Sequence, residues 1–288
     1  MSGTEVRILA QAKINLYLRI LARETSGYHQ LETLFLRLTL ADEIVVRTGV
    51  AGRTVDCRGA DAGPMERNLA YRAALAMRDA GGPDTFAIEI DKRIPIGAGL
   101  GGGSADAAAV LRALNAAAQR SLPDEQILSI AGRLGADVPF LASRSAMALA
   151  WGRGERMLAV VPPPSRPVLV LAPPFGVSTP AAYGWVDAAQ SPRANPLLLV
   201  PEALAGWSAL ERLAHNDFEP VVAARHPEIA SLLGALRTAG ANPAMMSGSG
   251  SAVFGVFSER PQEPAVPATT RIIRTATAES VEEPTQTT

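Results

Sequence analysis

Five of the seven residues from Gly97 to Gly103 are glycine, and they lie between an extended stretch and a helical one. Before them, Phe86, Ile88 and Ile90 alternate with Ala87 and Glu89, the period of a strand. After them, Ala107, Val110, Leu111, Leu114 and Ala118 form one apolar stripe at helical spacing. Glycine accepts positive φ and lets a backbone come close to another group. A glycine loop that feeds a helix offers free N–H groups and a positive dipole end to an anion. The segment therefore reads as a phosphate cradle, with a tight strand-to-helix packing turn as the plain alternative. Ser104 is the expected N-cap.

Three familiar nucleotide signatures fit this loop poorly. Gly97, Gly99 and Gly102 satisfy the dinucleotide pattern, but about 20 residues on, where an acid should end a second strand, SLPDEQIL starts a helix. The other phosphate loop ends in Gly-Lys-Ser/Thr, whereas Gly103 precedes Ser104 directly. Protein kinases set their glycine loop in a hairpin, and here a helix follows. A phosphate loop without its own lysine needs positive charge from elsewhere in the fold.

Along the rest of the chain, Ile14, Leu16, Leu18 and Ile20 alternate with Lys13, Asn15, Tyr17 and Arg19, which predicts an amphipathic strand with Lys13 and Asn15 on its polar face. A turn at 24–27 leads to Tyr28-His29, and LETLFLRLTL and EIVVRT read as further strands. Leu69, Arg72, Ala73, Ala76 and Met77 predict a helix from Asn68 to Ala80, ended by Gly81-Gly82-Pro83, and another helix runs from Asp124 to Leu134. The prolines at 162–164 and 167 mark a joint between an N-terminal domain, 1–160, and a second domain, 161–260. PVLVLA and 252–257 are expected strands, with helices between, one carrying Ile229, Leu232, Leu233 and Leu236. Residues 261–288 are rich in Pro, Thr and Glu and are expected to fray, apart from a short strand at RIIRT. The mixed order, with hairpin-like pairs early, favours α+β.

Bulk properties narrow the class. The 288 residues are 48% hydrophobic and 19% charged, which suits a protein with a real core. A net charge of −1 gives no global basic field for nucleic acid or an anionic membrane. Cys57 is the only cysteine, so no intrachain disulfide forms, and His29, His215 and His226 are scattered. The N-terminus lacks a signal-peptide pattern, and no apolar run reaches about 18 residues. A cytoplasmic, soluble protein is expected, as a monomer or homodimer.

PIGAGLGGGSADAAAVLRALN resembles the second motif of the superfamily of galactokinase, homoserine kinase, mevalonate kinase and phosphomevalonate kinase. AKINLYLRILARETSGYHQLETLF, LGADVPFLASRSAMALAWGRGE, NDFEPVV and MSGSGSAVFGVF are similar, in this order, to segments of the 4-diphosphocytidyl-2-C-methylerythritol kinase family. The resemblance implies a two-domain α+β fold, with an N-terminal domain like ribosomal protein S5 domain 2 and a ferredoxin-like C-terminal domain. It implies ATP with Mg2+, and a cytidine diphosphate substrate phosphorylated on its 2-hydroxyl in non-mevalonate isoprenoid synthesis.

The resemblance also implies roles. Lys13 matches a catalytic lysine and Asp137 a catalytic aspartate that takes the hydroxyl proton. Pro95, Ile96, Gly97, Ala98, Gly99, Leu100, Gly101, Gly102, Gly103, Ser104 and Ala105 match the ATP loop, with Ser104 able to touch the phosphates or magnesium. Asn15, Tyr28, His29 and Tyr183 match substrate positions: an aromatic face and imidazole hydrogen bonds for cytosine, with Tyr183 on the other side of the base and Phe175 as its competitor. Gly248 and Gly250 are expected to shape a loop closing on the site. Asn216 and Asp217 resemble family markers without assigned chemistry. The competing readings are a homoserine or mevalonate kinase, a nucleotide-binding regulator without catalysis, and a nicotinamide dehydrogenase.

Overall fold

A computed structural model describes residues 3–25, 27, 29–60, 63–152, 154, 156–189, 204 and 206–287. β1 (Glu5–Arg23) and β2 (His29–Thr48) form one long antiparallel hairpin, from Glu5 opposite Arg47 to Arg23 opposite His29. The two strands expected in the second arm are thus a single strand. β3 (Arg53–Arg58), α1 (Leu69–Asp79), β4 (Phe86–Asp91), α2 (Gly102–Ala117), α3 (Asp124–Leu134), α4 (Val138–Ala142), β5 (Met147–Gly152) and β6 (Arg156–Val160) follow. β4 and β5 both pair with β2, β3 pairs with β4, and β6 pairs with β5.

The alternation of β1 does not leave a solvated face. Lys13, Asn15 and Tyr17 are all buried. The register shifts between Gln11 and Lys13, between Asn15 and Tyr17, and between Ile20 and Ala22. Each such irregularity bends the strand and re-aims side chains. The second face is covered by the glycine loop, whose Leu100 carbonyl accepts from the Lys13 amide at 3.0 Å.

α1 starts where Asn68 Oδ1 accepts from the Ala70 amide at 2.9 Å. α2 buries Ala105, Ala107, Ala108, Ala109 and Ala113 along with Val110, Leu111 and Leu114. Small side chains let this helix sit close to the sheet, which holds its N-terminus at the strand ends. Its N-cap is Gly101, in the left-handed region, so Ser104 is a first-turn residue and not the cap.

The second sheet begins with β7 (Pro167–Ala172). After it come α5 (Thr179–Ala189), α6 (Trp207–Leu213), β8 (His215–Asn216), α7 (Phe218–Ala223), α8 (Pro227–Thr238), β9 (Ala244–Met246), β10 (Val253–Val256), β11 (Arg271–Ala276) and β12 (Thr285–Thr287). This sheet has the order β11-β7-β10-β9, backed by α8 through Ile229, Leu232, Leu233 and Leu236. β8 returns to pair with β1 in parallel. Among the described residues, no helix is long and apolar enough to cross a membrane.

The short strand expected at RIIRT is β11, which pairs with β7 from Arg271 opposite Ala172 to Ala276 opposite Pro167. The expectation that the rest of the tail frays is corrected where β12 pairs with β1. The Thr277 amide donates to Arg166 O and the Ala278 amide to Arg37 O, each at 3.0 Å. β12 is a short, wholly exposed edge strand and carries little periodic signal, because backbone pairing holds it in place of burial. Truncation after Arg260 removes this ladder, at about 0.5–1.5 kcal/mol per hydrogen bond. The expected result in a thermal melt is a loss of roughly 10 °C, against about 2 °C or less for truncation after Pro284. Equal melting temperatures for the two truncations would refute this.

Candidate active site

A cleft of about 1320 Å³ opens between the first sheet with its glycine loop and, on the other side, α5 and the 247–251 loop. Lys13, Asn15, His29, Gly99, Gly101, Ser104, Asp137, Tyr183 and Gly248 all line it. At its floor the Lys13 ammonium is held by three oxygens. It donates to Asn15 Oδ1 at 2.8 Å and to Gly99 O at 3.1 Å, and lies 3.2 Å from Asp137 Oδ2. The Lys13 side chain is 4% exposed and that of Asp137 31%, so the cation is enclosed while the carboxylate faces the cleft.

Asn15 is an inner brace. Its Nδ2 donates to Thr33 Oγ1 at 2.8 Å, and Thr33 Oγ1 donates to Tyr17 O at 2.7 Å. That chain fixes the amide so that its oxygen faces Lys13.

Asp137 sits in the turn between α3 and α4. Below it, Arg37 donates through Nη2 to Phe140 O (2.9 Å), Leu141 O (2.9 Å) and Ser143 O (3.1 Å), and through Nε to Ser145 O (3.0 Å). One buried guanidinium thus gathers carbonyls from the end of the short helix and the turn after it. Burial pushes the Arg37 pKa down to about 9, with repulsion from Arg112 adding to it.

The glycine loop is shaped from two sides. Gly97, Gly99 and Gly101 have φ of +68°, +78° and +73°. A Cβ on Gly99 would lie 2.1 Å from Ser247 O, so this glycine is required by the loop 247–251 docking on it. Ser247 Oγ donates to Gly99 O at 2.9 Å and the Ala252 amide to Ala98 O at 3.1 Å. A Cβ on Gly101 would lie 3.1 Å from Lys13 Cγ and 3.3 Å from Leu141 Cδ1, so its bareness also makes room for the lysine stem. Gly97 has open space around it. The first N–H groups of α2 lack intrahelical acceptors and form, with the loop, a cradle suited to a polyphosphate. Among the described residues, no group of three or more His, Cys, Asp or Glu could hold a metal ion.

Beside the loop, Lys92 Nζ donates to Asp42 Oδ2 at 2.5 Å and Asp106 Oδ2 at 2.7 Å, all three side chains being buried. Asp42 Oδ1 accepts the amides of Arg93 (2.5 Å) and Ile94 (2.8 Å), which sets the entry to the loop. Two carboxylates share one ammonium, and Asp106 Oδ1 has no partner among the described residues. Burial pushes Asp106 up to about 7; Lys92 opposes this and Asp42 adds to it.

At the far end, His29 Nε2 lies 2.9 Å from Asp187 Oδ1, and the His29 ring stacks on Tyr183 with centroids 4.5 Å apart and planes 13° apart. Tyr183 meets Phe218 edge-on at 4.9 Å, and burial, then the charge of Asp137, pushes its phenol up to about 12. Phe175 stacks instead on His226 at 4.7 Å and does not line the cleft. Tyr28 lies outside the described residues.

Sequence reasoning left one residue without a role and missed two others. Asn216 donates to Met246 O and Gly248 O, both at 2.8 Å, and accepts from the Phe218 amide at 2.9 Å, tying β8 to the loop over Lys13. Asp187 and Arg37 are the two that were missed. The segment NDF carried a signal for Asn216; Asp187 and Arg37 had none, since their partners lie far off in sequence.

A family model described as the GHMP kinases N terminal domain matches residues 68–145, and one described as GHMP kinases C terminal matches residues 202–268. The chain is 39% identical over 259 residues to a 4-diphosphocytidyl-2-C-methyl-D-erythritol kinase of Geobacter sp. (strain M21), covering 88% of this chain and 90% of that one. It is 42% identical over 262 residues to the kinase of the same name from Nitratidesulfovibrio vulgaris (strain DP4), covering 88% and 91%. A crystal structure of 4-(cytidine 5'-diphospho)-2C-methyl-D-erythritol kinase superposes with a TM-score of 0.75 at 36% identity, covering 94% of this chain and 98% of that one. A homoserine kinase from Cytophaga hutchinsonii superposes at 0.66 with 16% identity, covering 100% and 98%, a likeness of fold alone.

Arg37→Met keeps bulk but removes a donor from four carbonyls; Phe140 O keeps the Ser143 hydroxyl, and Leu141 O, Ser143 O and Ser145 O lose the guanidinium, at about 1–3 kcal/mol for each group left buried and unpaired. The melting temperature is expected to fall by roughly 10 °C, with kcat falling as the Asp137 turn loosens. An unchanged melt would remove Arg37 from this role. Asp106 has a folded pKa above its unfolded value, so its contribution to stability is full at acid pH and is lost as pH rises through about 7. Melting temperature followed from pH 4 to 8 is expected to show this loss in the native protein and to lack it in Asp106→Asn; parallel curves would count against it.

Proposed function

The chain belongs to the 4-diphosphocytidyl-2-C-methyl-D-erythritol kinase family, and from that premise we propose how this cleft carries the reaction. The activity is ATP-dependent phosphorylation of the 2-hydroxyl of 4-diphosphocytidyl-2-C-methyl-D-erythritol, giving the 2-phosphate and ADP in the non-mevalonate isoprenoid route. One observation supports the chemical roles above others: an enclosed ammonium lies 3.2 Å from a carboxylate that faces the cleft.

In our reading Asp137 accepts the proton of the 2-hydroxyl as that oxygen bonds to the γ-phosphorus and the bond to the bridging oxygen of ADP breaks. Lys13 holds the carboxylate in place and offsets negative charge on the moving phosphoryl group. The glycine loop and the first turn of α2 receive the ATP phosphates. Ser104, the hydroxyl in that first turn, would be the residue to hold a magnesium ion brought with ATP, and that ion would offset charge on the phosphates. His29, Tyr183 and Tyr28 take the cytosine end.

The test is incubation with ATP, magnesium and the cytidine substrate, with phosphorus NMR to detect the 2-phosphate. Homoserine and mevalonate serve as competing substrates, and preference for either would displace the reading. Asp137→Asn is expected to cut kcat by roughly 10²–10⁴. Lys13→Met is expected to cut it by roughly 10²–10³. Binding of the cytidine substrate should survive both changes by calorimetry. A folded variant with near-native kcat would remove its residue from the mechanism.

A further inference from the structure

We propose that Asp187 is a positioning residue that sets base selectivity, by fixing which nitrogen of His29 carries the hydrogen. This rests on the reading that His29 faces the cytosine.

His29 opens β2, and Asp187 lies in α5, 158 residues later. Two restraints act on the imidazole. Stacking on Tyr183 fixes the plane of the ring, and the 2.9 Å contact to Asp187 Oδ1 fixes its rotation within that plane. Tyr183 and Asp187 are four residues apart in α5, one turn on the same face, so a single helix supplies both restraints. The other carboxylate oxygen, Oδ2, lies 3.5 Å from Arg23 Nη1, which holds the carboxylate from the β1 side.

A carboxylate only accepts hydrogen bonds, so Nε2 carries the hydrogen in this contact. In the neutral ring Nδ1 is then an acceptor, and it is the nitrogen that remains for a ligand in the cleft. The exocyclic amino group of cytosine donates to such an acceptor. Uracil presents a carbonyl oxygen at the same place, which sets lone pair against lone pair. A site built to pair one polar group rejects the analogue that cannot pair it far more strongly than a difference in size would allow. Asp187 touches neither ATP nor the reacting hydroxyl in this scheme; it acts through His29.

The experiment combines a spectroscopic and a kinetic readout on the full chain. With 15N-labelled histidine at pH 8, the His29 signal, assigned by its loss in His29→Ala, is expected to show the Nε2–H tautomer. Asp187→Ala is expected to lose that preference and Asp187→Glu to regain part of it. In parallel, kcat/KM is measured for the cytidine substrate and its uridine analogue. Asp187→Ala is expected to reduce cytidine preference at least tenfold, mainly through KM, with the KM for ATP within twofold of native. An Nδ1–H tautomer in the native protein overturns the proposal by itself, even if Asp187→Ala fails to fold. Native selectivity in a folded Asp187→Ala also overturns it. If His29→Ala too keeps native selectivity, the assignment of His29 to the base has failed; if His29→Ala loses selectivity and Asp187→Ala does not, only the role of Asp187 has failed.

Discussion

The Lys13 ammonium has three hydrogens, and three oxygens from three separate segments surround it: Asn15 Oδ1 in β1, Gly99 O in the glycine loop and Asp137 Oδ2 before α4. A buried cation with an unfilled donor is costly, so these segments must converge together. Each oxygen has its own support. Thr33 turns the Asn15 amide, Ser247 shares Gly99 O, and Arg37 pins the carbonyls that follow Asp137. Phe35 lies beneath the ammonium at 5.5 Å from its ring centroid, adding a favourable face without competing for a hydrogen.

Several elements could be read from sequence because burial on one side writes a period into them. α3 runs from Asp124 to Leu134 and β4 from Phe86 to Asp91, close to where periodicity and the Gly/Pro stops set them. β1 misled because it is covered on both faces, and three irregularities break the strict alternation. Ser104 looked like a cap from composition, but left-handed Gly101 begins the helix two residues before Gly103 ends the run. The glycines were read as space for phosphates; at Gly99 and Gly101 the nearest claims come from Ser247 O and the Lys13 stem. Composition says that a backbone must approach something, and only the fold says what.

The polar supports were the least legible part of the site. The resemblance pointed to Lys13, Asp137, His29 and Tyr183, and all of them line one cleft. Nothing local marked Arg37, whose acceptors begin 103 residues later at Phe140, or Asp187, which reaches His29 across 158 residues. Side chains whose work is to satisfy backbone carbonyls or orient another side chain leave no motif of their own. They become visible only as an accounting of buried donors and acceptors.

α5 links the two ends of the cleft. Thr179, Tyr183 and Asp187 lie at intervals of four residues on one face of α5. Thr179 Oγ1 bonds Ser249 Oγ at 2.8 Å, and Ser249 belongs to the loop that Asn216 holds over Lys13 through Gly248 O. Tyr183 carries the His29 ring, and Asp187 orients it. Eight residues of helix span about 12 Å, so one rigid element sets the distance between the His29 end and the Lys13 end. Under the proposed roles, a substrate gripped at its base would be delivered with its far hydroxyl at a fixed reach, and binding energy gained remotely would act on the geometry of transfer. Flexibility in α5 would uncouple these ends even with every side chain intact, because the helix is the ruler that connects them.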